Sequence, residues 1–117
     1  MPSNKNKNVN PYITKSIKYI NQNLNKKITI KEICQYINLS KYYFSRMFKN
    51  EIGVTPYRYI MNCKIEAIKE DLSDGVDINT IVSKYEFYDL SHFNKNFIKV
   101  YGITPLEYQE SCKLKKK

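Results

Sequence analysis

The stretch Ser40–Tyr59, SKYYFSRMFKNEIGVTPYRY, returns 49 positions later as Asp89–Tyr108, DLSHFNKNFIKVYGITPLEY. Phe44, Phe48, Gly53, Thr55, Pro56 and Tyr59 recur as Phe93, Phe97, Gly102, Thr104, Pro105 and Tyr108, six matches in fixed order. Self-similarity at a fixed period marks one supersecondary unit used more than once. Upstream, Ile30, Ile33 and Leu39 recur as Ile78, Ile81 and Phe87 at an offset of 48, so the second copy holds one extra residue between Phe87 and Phe93, in a turn.

Working outward, each copy reads as two helices around a tight turn. Thr29 and Glu32 form a T-x-x-E capping box, and Ile28 and Ile33 stand where a hydrophobic staple would, so a short helix begins at Ile30, with Ile30, Ile33 and Ile37 as its apolar face. Asn38 tolerates the left-handed conformation that a sharp turn needs. Ser40 caps the next helix, which runs from Lys41 to about Glu51, with Tyr43 and Phe44 in the core and Gly53 as its left-handed terminator. In the second copy Asp77 and Asp89 are the caps and Gly102 the terminator. Thr-Pro follows each glycine, with threonine as cap and proline at the first helical position, where its missing N–H is not needed. Thr55 thus opens a linker helix to about Leu72, roughly seventeen residues and 25 Å long, and Thr104 with Glu107 opens a short last one. Asn10-Pro11 opens a first helix with Ile13, Ile17, Ile20 and Leu24 at helical spacing.

The expected fold is therefore all-α, with seven helices in two helix-turn-helix subdomains joined by a long linker helix. Residues 1–9 read as a disordered polar tail, 10–55 as the first subdomain, 56–73 as the linker helix, 74–111 as the second subdomain and 112–117 as a basic tail. Gly75 falls in a loop that looks less constrained than the Gly53 terminator.

Composition narrows the function. Twenty Lys and Arg against eleven Asp and Glu give 117 residues a formal charge of +9, a field that attracts polyanions. No apolar run is long enough to span a membrane, no helix sets a basic stripe against an apolar one, and the first ten residues lack the apolar core of a secretory signal. Cys34, Cys63 and Cys112 are odd in number and widely spaced, which fits reduced thiols in a cytoplasmic protein, with Cys34 and Cys63 as small core residues, better than disulfides or a structural zinc. His92 is the one histidine and has no cysteine or acidic partners at ligand spacing. We expect no metal and no cofactor. No nucleophile with a base, no phosphate-cradling glycine loop and no converging carboxylates point to an enzyme.

A helix pair alone is weak grounds for DNA binding, because plain bundles use it too. The second helix of each pair is more informative. With Phe44 as the inward direction and 100° per residue, Tyr42, Ser45, Arg46 and Lys49 fall on the opposite face, with Asn50 at its margin. Arginine can grip guanine O6 and N7 with two parallel hydrogen bonds, serine bonds several bases, a tyrosine ring touches a thymine methyl, and lysine suits phosphate. The equivalent face in the second copy is Ser91, Asn94, Lys95 and Ile98, with Lys99 at its edge. Asn94 suits adenine and Lys95 guanine, whereas Ile98 offers an apolar contact where the first copy has Lys49. Tyr42, Ser45, Arg46, Ser91, Asn94 and Lys95 are thus the candidate base contacts. Thr29, Ser40, Lys41, Lys49, Asn50, His92 and Lys99 are the candidate phosphate contacts. For Arg46, Tyr42 and His92 the alternative is an ordinary exposed side chain.

From Ile28 to Tyr108 the chain resembles the DNA-binding domain of the AraC/XylS transcription regulators, through Ile-Thr-Ile-Lys-Glu-Ile at 28–33, Leu-Ser-Lys-Tyr-Tyr-Phe-Ser-Arg-Met-Phe-Lys at 39–49 and the closing Gly-Ile-Thr-Pro. Lys64, Ile65 and Ala67 are similar to that family's Arg-Ile-x-x-Ala linker pattern. The resemblance implies two recognition helices set into successive major grooves of double-stranded DNA, Arg46 and Lys95 at the basic recognition position, RNA polymerase as a further partner, and activation as the sign of regulation. It also implies a sensing domain in many members, so that the chain is either a stand-alone regulator or part of a longer one. Glu86 departs from the family's usual glycine before Phe87, and Ile98 from a usual lysine. A competing reading from another class is a basic module for an acidic protein or an RNA hairpin, although the aromatic strand motifs of RNA-binding sheets are missing.

Charge separates the two halves. Up to Lys64, twelve Lys and Arg face two Glu; from Ile65 onward, eight Lys face nine acids, and four of those eight lie at the C-terminus. The first half carries +10 and the second −1. Since phosphate neutralisation supplies sequence-independent affinity, the first unit is expected to anchor the complex, and Glu86 to weaken the second unit's grip.

Overall fold

Each turn that side-chain chemistry marks in the sequence is a turn in the computed structural model, which describes residues 10–115. Among those residues there are seven helices and no strand: α1 Pro11–Gln22, α2 Ile30–Ile37, α3 Lys41–Ile52, α4 Pro56–Ser73, α5 Ile78–Lys84, α6 Leu90–Tyr101 and α7 Pro105–Lys115. The polar tail expected over residues 1–9 and the last two lysines of the expected basic tail lie outside the described residues, and α7 takes in residues 112–115 of that tail.

The caps are made as their chemistry requires. Asn10 Oδ1 accepts the Tyr12 N–H at 2.8 Å to open α1. Thr29 Oγ1 accepts the Glu32 N–H at 3.1 Å while the Glu32 carboxylate accepts the Thr29 N–H at 3.1 Å, a complete capping box on α2. The same box recurs on α7, with Thr104 and Glu107 exchanging bonds of 3.0 and 2.8 Å. Ser40, Asp77 and Asp89 cap α3, α5 and α6. Satisfying an otherwise orphaned N–H in this way stabilises a helix by about 1 kcal/mol.

The chain divides into two compact units within α4. Unit 1 takes in residues 10–23 and 28–60, and unit 2 residues 24–27 and 61–115. In unit 1, α1, α2 and α3 bury Ile13, Ile20, Ile33, Ile37, Phe44 and Phe48. Phe44 packs on Phe48 with ring centroids 5.5 Å apart, and Phe48 meets Tyr59 edge-on at 5.4 Å. Unit 2 repeats the arrangement: Phe93 meets Phe97 at 6.0 Å, and Phe97 meets Tyr108 at 5.8 Å. The recurring aromatic positions are thus the hinge of each unit's core. Truncating one of these rings to alanine would cost about 3–5 kcal/mol.

Four expectations are corrected. Tyr43 is 64% exposed rather than buried; it sits 100° around α3 from Phe44, and the core is already filled by Phe44 and Phe48. Leu24 falls beyond α1, which ends at Gln22, and it clusters with unit 2. Cys63 is only half-buried, unlike Cys34. Gly75, expected in a looser loop than Gly53, is as constrained: its φ is +86° against +96° at Gly53. Its N–H donates to the Leu72 carbonyl at 3.0 Å, and Val76 N–H reaches back to Asp71, so Gly75 closes α4 as Gly53 closes α3.

Candidate nucleic-acid interface

The two turns are built on equivalent residues. Asn38 ends α2 with φ +60° and ψ +51°, and Glu86, 48 positions later, takes φ +55°. Asparagine enters this region at little cost because its short amide bonds locally, but glutamate has no such help and the strain must be offset elsewhere. Two contacts do so. A Glu86 carboxylate oxygen accepts the Lys27 N–H at 3.1 Å. Just before it, the buried Lys64 ammonium donates to the carbonyls of Tyr85 at 2.7 Å and Lys26 at 2.6 Å. A cation at the carbonyl end of α5 also meets the negative pole of that helix. Burial holds the Lys64 ammonium below the ordinary lysine range, and the Glu86 carboxylate works against that shift. Lys64 is therefore a staple of the second turn. The residue inserted in the second copy is also visible: where Leu39 and Ser40 connect α2 to α3, Phe87, Tyr88 and Asp89 lead into α6, and Tyr88 is 87% exposed.

In unit 1, burial of Phe44 and Phe48 turns the opposite face of α3 outward. Tyr42, Arg46, Lys49 and Asn50 are exposed on it, and Ser45 is half-buried. Arg46 donates from Nη1 to the Tyr42 hydroxyl at 2.8 Å, and its guanidinium carbon lies 5.4 Å from the Tyr42 ring centroid. This i, i+4 pair holds the guanidinium extended along the face, which lowers the ordering cost of a later two-point contact. Beside the turn lies an open groove of about 500 Å³ lined by Lys31, Cys34, Asn38, Leu39, Ser40 and Lys41. Its two lysines and the Ser40 hydroxyl are groups that suit a phosphate. Burial pushes the Cys34 thiol up, with the Lys41 charge pulling the other way. Thr29 is exposed at the start of α2; its oxygen and that of Ser40 accept backbone N–H groups, which leaves each hydroxyl proton to donate.

In unit 2, Phe93 and Phe97 fix the face of α6 in the same way. Ser91, Lys95, Ile98 and Lys99 are exposed and Asn94 is half-buried. His92 is half-buried too, its ring 5.7 Å from Phe87 in an edge contact, so it belongs partly to the turn's packing. Neighbouring lysines of the unit are drawn to acids: Lys84 to Asp71 at 3.1 Å and Lys69 to Glu66 at 3.8 Å. The Tyr85 hydroxyl donates to Asp71 at 2.9 Å, and burial followed by that bond pushes its phenol up to about 12.

The structure thus brings Tyr42, Ser45, Arg46, Lys49 and Asn50 to one face of α3 with Ser40, Lys41 and Thr29 at the helix starts, and Ser91, Asn94, Lys95 and Lys99 to one face of α6. Sequence reading named Asp77 and Asp89 as caps but missed what their charge means at the second unit's helix starts. Asp77 and Asp89 occupy the places of Thr29 and Ser40, so carboxylates replace hydroxyls where a phosphate would approach. The repeat offsets of 48 and 49 were the signal that paired them. It also missed Leu90, which stands where unit 1 has Lys41.

Among the described residues no helix is long and apolar enough to cross a membrane, and no three His, Cys, Asp or Glu side chains converge as metal ligands would. A family model described as a helix-turn-helix domain matches residues 33–111. The XylDLEGF operon transcriptional activator of Pseudomonas putida is 28% identical over 108 residues, 89% of this chain and 34% of that protein. The C-terminal domain of AraT, a response regulator from Geobacillus stearothermophilus, superposes with a TM-score of 0.83 at 23% identity, covering 89% of this chain and 88% of that one. A transcriptional regulator from Chromobacterium violaceum, described as an AraC-type DNA-binding domain-containing protein, gives 0.79 at 21% identity over 87% and 92%. At these identities the structural likeness is one of fold. The chain spans about a third of the length of the curated relatives it matches.

Proposed function

Because the chain belongs to the helix-turn-helix domain family of AraC-type transcription regulators, we propose that it binds double-stranded DNA sequence-specifically and regulates transcription, α3 and α6 each entering a major groove of a two-part site. The observation that carries this reading is the repeated outward face. Two helices, each anchored by a buried Phe pair, present Tyr42, Ser45, Arg46 and Lys49 in one unit and Ser91, Asn94 and Lys95 in the other. Arg46, Asn94 and Lys95 supply base-edge chemistry, and Lys41, Lys49, Asn50 and Lys99, with Thr29, Ser40 and His92, supply phosphate chemistry. The protein acts by binding rather than catalysis, in the cytoplasm. As with the Pseudomonas putida activator it resembles, activation is the proposed sign of regulation, with RNA polymerase as the partner engaged and a sensing domain as the further part in a longer chain.

Selection of bound duplexes from a random pool tests this. A conserved site in two parts about one helical turn apart is the expected result, competed by unlabelled duplex and not by RNA hairpins. Equal binding to all duplexes, or preference for RNA, would overturn the reading.

A further inference from the structure

The second unit departs from the first in a consistent direction. The two lysines of α3 at positions 41 and 49 are replaced on α6 by Leu90 and Ile98, two turns apart. Both aliphatic side chains are exposed, Ile98 at 41% and Leu90 at 44%. Single exposed aliphatics need no explanation. These two, however, stand at places where the other copy carries charge, on a helix whose remaining outward residues are polar or basic: Ser91, Asn94, Lys95 and Lys99. Ile98 lies one turn beyond Asn94 on the same face, and Leu90 lies one turn before it, in a groove of about 360 Å³ shared with Ile78, Asn94 and Leu106.

On the reading of α6 as a recognition helix, we propose that Ile98 is a specificity-determining residue that packs against a thymine C5-methyl, so that Asn94 and Ile98 together make the second unit a reader of A·T pairs. The chemistry is additive. Asparagine can bond adenine N6 and N7 at once, and thymine's methyl is the one apolar group on a major-groove base edge. A branched aliphatic gains free energy by shielding that methyl from water and gains nothing from cytosine's bare C5 position. Positive charge at Lys95 and Lys99 on the same face draws the helix into the negative field of the groove, which is why a DNA edge, rather than an apolar protein surface, fits this face. The first unit, with Lys49 at the equivalent place, does not read a methyl there.

Replacing thymine by deoxyuridine removes only the C5-methyl, so it isolates the proposed contact. On the duplex selected by the wild-type protein, each thymine is exchanged singly and affinity is measured for wild type, Ile98→Ala and Ile98→Lys. The expected result is one thymine in the second half-site whose replacement weakens wild-type binding about fourfold, the effect of burying one methyl. Both variants should be indifferent to that replacement, and Ile98→Lys should gain a steeper salt dependence. Ile98 is exposed, so neither change threatens the fold, and melting curves check this. Wild-type indifference to every deoxyuridine, or undiminished sensitivity in Ile98→Ala, would overturn the inference while leaving DNA recognition standing. Failure to bind any duplex specifically would overturn both.

Discussion

The turn before α3 and the turn before α6 share a left-handed residue and differ in almost every functional group. In the first, Asn38 takes the left-handed position, neutral Thr29 and Ser40 cap the helices, and Lys41 and Lys49 flank the outward face. In the second, Glu86 takes that position, carboxylates of Asp77 and Asp89 cap the helices, and Leu90 and Ile98 stand where the lysines were. A carboxylate caps a helix as well as a hydroxyl does, so folding alone does not choose between them. Approach to phosphate does. One scaffold thus presents two chemistries, a cationic face around Arg46, Lys41 and Lys49 in unit 1 and a less basic one around Asn94 and Ile98 in unit 2.

The largest expected effect concerns the strained turn. Lys64→Met removes the donor for the Tyr85 and Lys26 carbonyls and should destabilise the protein by about 1–3 kcal/mol, the cost of leaving a buried acceptor unsatisfied. Hydrogen exchange should show the loss first in α5 and the turn at Glu86, with α2 and α3 spared. Uniform loss, or none, would mean that the second turn stands without its staple. For the same reason Glu86→Lys, which charge alone suggests would tighten DNA binding, should instead lower the melting temperature. It deletes the carboxylate that accepts the Lys27 N–H and sets a second cation beside Lys64.

Next comes Arg46→Ala, which should weaken specific binding by about 1–3 kcal/mol and relax preference at one base position, while Lys49→Ala weakens binding to all sequences alike. Lys95→Ala should cost clearly less than Arg46→Ala. Affinity measured on specific and random duplexes at several salt concentrations decides it, and equal damage from the two changes would break the division of labour between the units.

Gly53→Val and Gly75→Val probe the two helix ends. Each forces a β-branched residue to a positive φ, at about 1–2 kcal/mol, and the two should melt alike, because both glycines close a helix. A clear difference would single out one of these two helix ends.

Much of this was legible in the sequence because local rules agreed with one another. The capping box at Thr29 and Glu32, Pro after Thr55 and Thr104, and Gly53 each name a helix boundary without tertiary help, and the repeat supplied the rest. The outward face of α3 followed from Phe44 and the helical period. What stayed illegible depends on contacts distant in sequence. Nothing near Lys64 says that its ammonium will be taken up by carbonyls 21 and 38 residues away. Tyr43 reads as core by composition, yet only the filled interior of unit 1 decides that it is left outside. Gly75 looks like a free loop residue because its partner bonds, to Leu72 and from Val76 to Asp71, are backbone ones that carry no sequence signature.

The smallest effect is the most diagnostic of the comparison. Replacing Asp77 by Thr and Asp89 by Ser gives unit 2 the caps of unit 1. Serine caps about as well as aspartate and threonine slightly less well, and the lost attraction of a carboxylate to the helix N-terminus amounts to about 0.3–1 kcal/mol per cap. The double variant should therefore stay folded. Two negative charges vanish from helix starts that, on the proposed reading, face the phosphates, and two hydroxyl donors appear there. Non-specific affinity should rise several-fold at low salt, and the gain should shrink as added salt screens the charges. Arg46→Ala should hurt less in this background than in the wild type, since unit 2 would then share the anchoring. If the double variant binds random duplex no better than the parent while keeping its melting temperature, the caps of α5 and α6 do not face phosphate, and the weakness of unit 2 must come from the aliphatic positions of α6 instead.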